Sequence, residues 1–169
     1  MNTIHDFAER LKYSAAASDE PFWEAIYRKA FPDFVSMANC DSDTQLQRLG
    51  VDRVVCLGSG RILKIDEKKR EKEYQDILLE YISVDTTGAL GWMDKPLLID
   101  YLAYAFMPTK RVYLLGWDLL RRAWLNYKSE WIRQYPRIEA KNATYTTISV
   151  AVPIAKILDS VRTAAIIQL

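Results

Sequence analysis

The stretch Val51-Asp52-Arg53-Val54-Val55-Cys56-Leu57-Gly58-Ser59-Gly60-Arg61-Ile62-Leu63-Lys64-Ile65-Asp66-Glu67-Lys68 decides how this chain is read. Two short runs rich in β-branched and aliphatic residues flank a three-residue loop holding two glycines, which is a β-hairpin signal. With Gly58-Ser59-Gly60 as the loop, Leu57 faces Arg61 and paired positions sum to 118. Asp52 then lies across from Asp66. Opposed residues share one sheet face, with Cβ atoms about 4.5–5.5 Å apart. Lys68, two residues beyond Asp66, shares that face. A two-residue loop would instead set Asp52 opposite Ile65.

Two carboxylates and one ammonium thus converge at one end of the hairpin. Like charges directly opposed repel, so the pair needs a compensating cation. One reading is an ordinary charged hairpin end, with Asp66 paired to Lys64 or Lys68. The other is a divalent metal drawing oxygens from both acids. Mg²⁺ characteristically takes one or two protein carboxylates and fills its shell with water and substrate phosphate. A lysine beside it positions water and counters charge on phosphate. Together these groups suit phosphodiester hydrolysis.

Working outward, the spacing predicts helices before the hairpin. Thr3 caps a first one with the stripe Ile4, Phe7, Ala8 and Leu11, and Asp19-Glu20-Pro21 starts a second that ends at Phe31-Pro32-Asp33. Residues 39–44 are turn-rich. After the hairpin, the charged stretch Lys68 to Asp76 leads into a strand over 76–83. Thr86-Thr87-Gly88 and Gly91 mark a loop, and Leu97–Phe106 and Arg111–Leu115 form a second strand pair. From Asp118 to Gln134 the period is helical, with Leu120, Trp124, Tyr127 and Trp131 as a core stripe. Residues 144–152 form a strand by composition. Pro153 to about Val161 is a short helix. The expected architecture is one domain over residues 1–169: N-terminal helices (1–44), a core (45–152) and a C-terminal helix and tail (153–169). Its class is mixed α/β (α+β), a central mixed β-sheet flanked by helices.

Composition narrows the chemistry. The chain has 169 residues, 23 Lys and Arg against 22 Asp and Glu, one histidine and two cysteines. A charge of +1 argues against a protein basic all over and leaves room for a local basic groove. A lone His5, expected at the surface, excludes a multi-histidine metal site, and Cys40 and Cys56 exclude a four-cysteine zinc site. Reduced thiols fit better than a Cys40–Cys56 disulfide. No apolar run reaches the roughly 18 residues of a membrane span, and the N-terminus lacks a signal-peptide pattern, so the expectation is a cytoplasmic protein without membrane contact.

The set Asp52, then Asp66-Glu67-Lys68, resembles the Asp…(Asp/Glu)-x-Lys signature of the PD-(D/E)XK, restriction-endonuclease-like nuclease superfamily. The lead-in Gln47-Arg48-Leu49-Gly50-Val51-Asp52 resembles that of some phage-like hypothetical members, and the resemblance covers roughly residues 45–152. Val51 stands where the superfamily's name has proline. The resemblance implies a restriction-endonuclease-like fold and a Mg²⁺- or Mn²⁺-dependent nuclease acting on DNA, with Asp52 and Asp66 as metal ligands and Lys68 as catalytic lysine. It is also what suggests a homodimer cutting both strands.

Glu67-Lys68-Lys69 offers a second Glu-x-Lys in the other register. Glu24 and Glu80 are further candidate acids, and Gln47 is a candidate for orienting phosphate or water. Lys64, Lys69 and Arg70 are candidate nucleic-acid contacts, set against the plainer reading of a solvated charged face. Trp92 reads as a strand-end plug or a lid. The alternative function is a catalytically inactive nuclease-fold protein that binds nucleic acid or a partner protein in a phage or host-defence setting.

Overall fold

A computed structural model of the chain describes residues 19–169, so the Thr3 helix and His5 lie outside the described residues. The elements run α1 (Glu20–Ala30), β1 (Phe34–Asn39), α2 (Thr44–Arg48), β2 (Arg53–Leu57), β3 (Ile62–Arg70), β4 (Asp76–Val84), β5 (Ala89–Leu90), β6 (Tyr101–Phe106), β7 (Arg111–Gly116), α3 (Trp117–Gln134), β8 (Arg137–Lys141), β9 (Thr146–Pro153), α4 (Ile154–Val161) and β10 (Ala164–Gln168).

The hairpin holds the three-residue loop. Arg53 pairs with Ile65, Val54 with Lys64, Val55 with Leu63 and Cys56 with Ile62, each pair summing to 118. Residue parity therefore sorts the side chains of β2 and β3. Odd positions Val55, Leu57, Leu63 and Ile65 pack with Trp23, Ile26 and Tyr27 of α1. Even positions face the opposite way.

The hairpin belongs to a six-stranded sheet ordered β1-β2-β3-β6-β7-β10. Its neighbours are antiparallel except β3 and β6, which run parallel. Strands β6 and β7 are buried on both faces, which is why YLAYAF and RVYLLG read as continuous apolar runs rather than alternating ones. Their Leu102, Tyr104, Phe106, Tyr113 and Leu115 form a second core with Ile77 and Leu79 of β4, Val150 and Val152 of β9, and Leu120, Trp124 and Trp131 of α3.

The mixed α/β class is what the structure has, but the strands form two sheets where one central sheet was expected. The chain leaves β3 at Arg70, and β4 pairs with β9 in a four-stranded antiparallel sheet ordered β5-β4-β9-β8. It then returns as β6 to take the open edge of β3. Residues 97–100 are not part of β6. Asp100 instead turns its carboxylate back, Oδ2 accepting from the Lys64 amide at 2.7 Å. The expected tail after α4 contains β10, which pairs with β7. Tyr127 of the predicted core stripe stays partly exposed, while Leu120, Trp124 and Trp131 are buried.

One carboxylate fastens α3 to the loop after β5. Asp94 Oδ1 accepts from Trp124 Nε1 at 3.0 Å and Oδ2 from Lys128 Nζ at 2.7 Å, with Arg121 at 3.6 Å. Burial opposes its charge, but the bonds from Lys128 and Trp124 outweigh that and hold the carboxyl below the usual aspartate value. A depressed carboxyl stabilises the fold above the unfolded-state pKa and stops doing so as pH falls through the folded one. Asp94→Asn is expected to cost about 1–3 kcal/mol at neutral pH, with the gap to wild type closing toward about pH 3. Urea unfolding at both pH values checks this.

Candidate active site

Asp52 stands just ahead of β2, delivered by α2 and a glycine turn. Asp43 caps α2 by accepting from the amides of Gln45 and Leu46. Gly50 then adopts a left-handed φ of +79°, and a Cβ there would lie 2.9 Å from Leu97 Cδ2, so the tight entry into β2 needs glycine. The Asp52 amide donates to Ile65 O at 3.0 Å and continues the ladder. Its carboxylate is held from two sides: Oδ2 accepts from the Glu67 amide at 2.8 Å, and Oδ1 from Gln47 Nε2 at 3.4 Å. Gln47 thus acts on Asp52 itself and also donates to Val51 O at 3.1 Å.

Asp66 is 2% exposed and bonds to the Lys68 ammonium. Burial raises its carboxyl, Lys68 opposes that, and the Asp52 charge adds to the rise, so it is pushed up to about 7. Lys68 keeps 34% of its side chain exposed. Burial works against its charge, but Asp66, Asp52 and Glu80 outweigh burial and hold it above the usual lysine value. Glu80 enters from β4 of the other sheet. Burial raises it, while Lys95 and Lys68 pull it down, so it lies within the field of Lys68. The Trp92 ring centroid is 6.0 Å from Lys68 Nζ.

Asp52, Asp66, Lys68, Gln47 and Glu80 are thus gathered, and the other candidates are not. Glu67 lies on the α1 face. There it accepts from the Tyr27 hydroxyl at 2.7 Å and takes a two-pronged bond from Arg53, Nε at 3.0 Å and Nη2 at 3.1 Å. This buried clamp uses up the alternative Glu-x-Lys, and its Lys69 is paired with Asp19. Glu24 belongs to α1, on the far side of the sheet from Asp66, and pairs with Arg28 at 2.6 Å. Arg70 donates to the Tyr104 hydroxyl at 3.1 Å and stacks over Tyr74 at 4.0 Å, which removes it from the surface groups available to a phosphate. Lys64 is half-buried on the Asp66 face.

Among the described residues, no group of three or more His, Cys, Asp and Glu side chains is arranged to hold a metal. The Asp52–Asp66 pair is nonetheless a fitting donor set for a hard divalent ion. It offers carboxylate oxygens only, and the buried Asp66 carboxyl lies within the field of the Asp52 charge, which adds to its rise. Two protein carboxylates also match the sparse protein ligation that Mg²⁺ accepts. Among the described residues, no helix is long and apolar enough to cross a membrane. Comparison of the chain with protein-family models, with curated proteins and with solved structures finds no match.

Proposed function

We propose that the chain is a divalent-metal-dependent nuclease that hydrolyses phosphodiester bonds, with DNA as substrate. The observation that carries this reading is the gathering of Asp52, Asp66 and Lys68 at one end of one hairpin face, with Asp66 buried and Asp52 oriented by the β3 backbone. A restriction-endonuclease-like arrangement is part of the same reading. It is supported by that hairpin sitting in a mixed sheet, with a helix against its other face.

Asp52 and Asp66 would hold Mg²⁺ or Mn²⁺. A divalent ion there supplies Lewis acidity toward a phosphoryl oxygen and a more acidic bound water. Asp52 needs little reorganisation for this, because the Glu67 amide and Gln47 already fix its carboxylate. Lys68 remains an ammonium at neutral pH, so it donates to phosphate oxygen and offsets charge that builds there; it does not accept the proton of the attacking water. The clamp of Arg53, Tyr27 and Glu67 on the opposite face keeps β3 rigid beneath Asp66 and Lys68.

The test pairs metal binding with cleavage. Mn²⁺ is expected to raise the melting temperature of the wild type, and Asp52→Asn to abolish that rise. Lys68→Ala should keep the Mn²⁺ response and lower cleavage of plasmid or oligonucleotide DNA by roughly 10²–10³. A wild type that neither responds to Mn²⁺ nor cleaves DNA would overturn the proposal, as would cleavage that survives both substitutions.

A further inference from the structure

Arg53 and Glu67 occupy odd positions of β2 and β3, so they share the α1 face with Val55, Leu63 and Ile65. Arg53 is 3% exposed, and the Glu67 side chain is nearly as buried. Burying an ion pair is a poor way to stabilise a fold. The loss of water largely cancels the attraction, and apolar side chains of similar volume do as well or better. This pair is also incompletely satisfied. Among the described residues, Arg53 Nη1 is buried without a hydrogen-bond partner, and Glu20 Oε1 lies 3.5 Å from it. Stability alone gives no account of charges at these two positions.

Their place in the hairpin does. Arg53 follows Asp52, and Glu67 stands between Asp66 and Lys68. The last backbone pair of β2 and β3 at this end is Arg53 with Ile65. Past it β3 remains held, because Glu67, Lys68 and Lys69 pair with Ala103, Tyr104 and Ala105 of β6. Beyond Ile65 the start of β2 reaches β3 through side chains. On one face Asp52 Oδ2 accepts from the Glu67 amide at 2.8 Å. On the other, the Arg53 guanidinium donates to the Glu67 carboxylate at 3.0 and 3.1 Å. The Tyr27 hydroxyl, donating to the same carboxylate at 2.7 Å, fixes the Glu67 side chain. Glu67 is thus gripped from both faces, its backbone by Asp52 and its side chain by Arg53.

Building on the nuclease reading, we infer that Arg53 is a positioning residue for the metal site: by gripping Glu67 on the α1 face, it holds the start of β2 where the Asp52 carboxylate meets the Glu67 amide. Partners that orient a metal ligand from behind typically govern affinity for the ion by about 10–100-fold. Removing Arg53 and Glu67 together takes away one positive and one negative charge. A change in metal affinity then reports orientation and not net charge.

The test separates positioning from folding. The triple variant Tyr27→Phe, Arg53→Met, Glu67→Leu replaces the buried network with apolar side chains of similar volume. Its urea midpoint is expected to be no lower than that of the wild type. Its Mn²⁺ affinity, read by calorimetry, is expected to fall about tenfold. Hydrogen exchange at the residue 67 amide, read by NMR without metal, is expected to speed up. Ile26→Val, in the same core, is expected to do the reverse: a lower midpoint with unchanged Mn²⁺ affinity. Arg53→Lys keeps the charge but not the two-pronged bond, so it gives a smaller loss of Mn²⁺ affinity and keeps the experiment informative if the triple variant does not fold. Wild-type Mn²⁺ affinity in the folded variants, or unchanged exchange at residue 67, would overturn the positioning role and leave the nuclease reading intact. A wild type that binds no Mn²⁺ and cleaves no DNA would overturn both.

Discussion

Asp66→Asn is expected to make the protein more stable at pH 8 and inactive as a nuclease. Asp66 is 2% exposed, and burial together with the Asp52 charge pushes its carboxyl up to about 7, against about 3.9 in an unfolded chain. A group whose folded pKa is raised favours the fold while it is protonated and loses that contribution as pH climbs through the folded value. At pH 8 the wild type therefore carries an ionised carboxylate that the fold accommodates poorly. Asparagine reproduces the shape of the neutral acid without the charge. The Lys68 ammonium, left without its partner, still has water to turn to, because 34% of its side chain is exposed. The expected gain is about 1–3 kcal/mol at pH 8, smaller at pH 5, and reaches zero only near the unfolded-state value of about 3.9. Cleavage should drop by roughly 10²–10³ or more, and the Mn²⁺-induced rise in melting temperature should vanish. Urea unfolding at the two pH values, with and without Mn²⁺, reads all of this. A loss of stability at pH 8 would mean that the Lys68–Asp66 pair outweighs the burial of the charge, and would remove the physical reason for placing a metal there.

That crowding is legible in the sequence, because it follows from parity alone. Once Gly58-Ser59-Gly60 is the loop, Asp52, Asp66 and Lys68 must share a face and Glu67 must occupy the other. Parity also separates the two Glu/Asp-x-Lys registers, although the identity of the clamp that consumes Glu67 depends on α1 laying Tyr27 against it. Elements with a strong apolar signal, such as α3 and β9, are equally readable. Those without one are not. Strand β8 is exposed along all five residues, β1 alternates irregularly, and β10 is a short apolar run at the chain end that resembles a tail. The split into two sheets is hidden for a different reason. Whether β4 continues beside β3 or pairs with β9 is decided by competition between distant segments, and hydrophobic periodicity within β4 is the same in both cases. Glu80 and Trp92 become neighbours of Lys68 only through that pairing, so their place at the site cannot be read from spacing.

Gly91→Ala should be among the most damaging single changes in the chain, and for reasons of space, not backbone angle. A Cβ at Gly91 would lie 2.4 Å from the Glu80 carbonyl oxygen, 2.5 Å from its carbon and 2.6 Å from the Tyr81 nitrogen. These are backbone atoms of β4, which pairs with β9 on both sides of a bulge between Glu80 and Ile82, and they cannot swing aside as a side chain can. The loop must move instead. It then gives up the Gly91–Tyr81 and Met93–Glu80 hydrogen bonds and draws fully buried Met93 out of the second core. The expected cost is about 2–4 kcal/mol, read as a lower urea midpoint. Gly60→Ala is the contrast: its φ is +84° but nothing lies within 4 Å of the added carbon, so only conformational strain of about 1 kcal/mol applies. The two variants also separate stability from function. Gly60 is at the hairpin tip, away from the acids, and its alanine variant should keep wild-type cleavage when assayed well below its melting temperature. Gly91 seats its loop directly on the backbone of Glu80 and Tyr81, beside the acid that acts on Lys68, so its alanine variant should lose cleavage even where it remains folded. Equal activity in the two folded variants would show that the second sheet only supports the hairpin and takes no part in its chemistry.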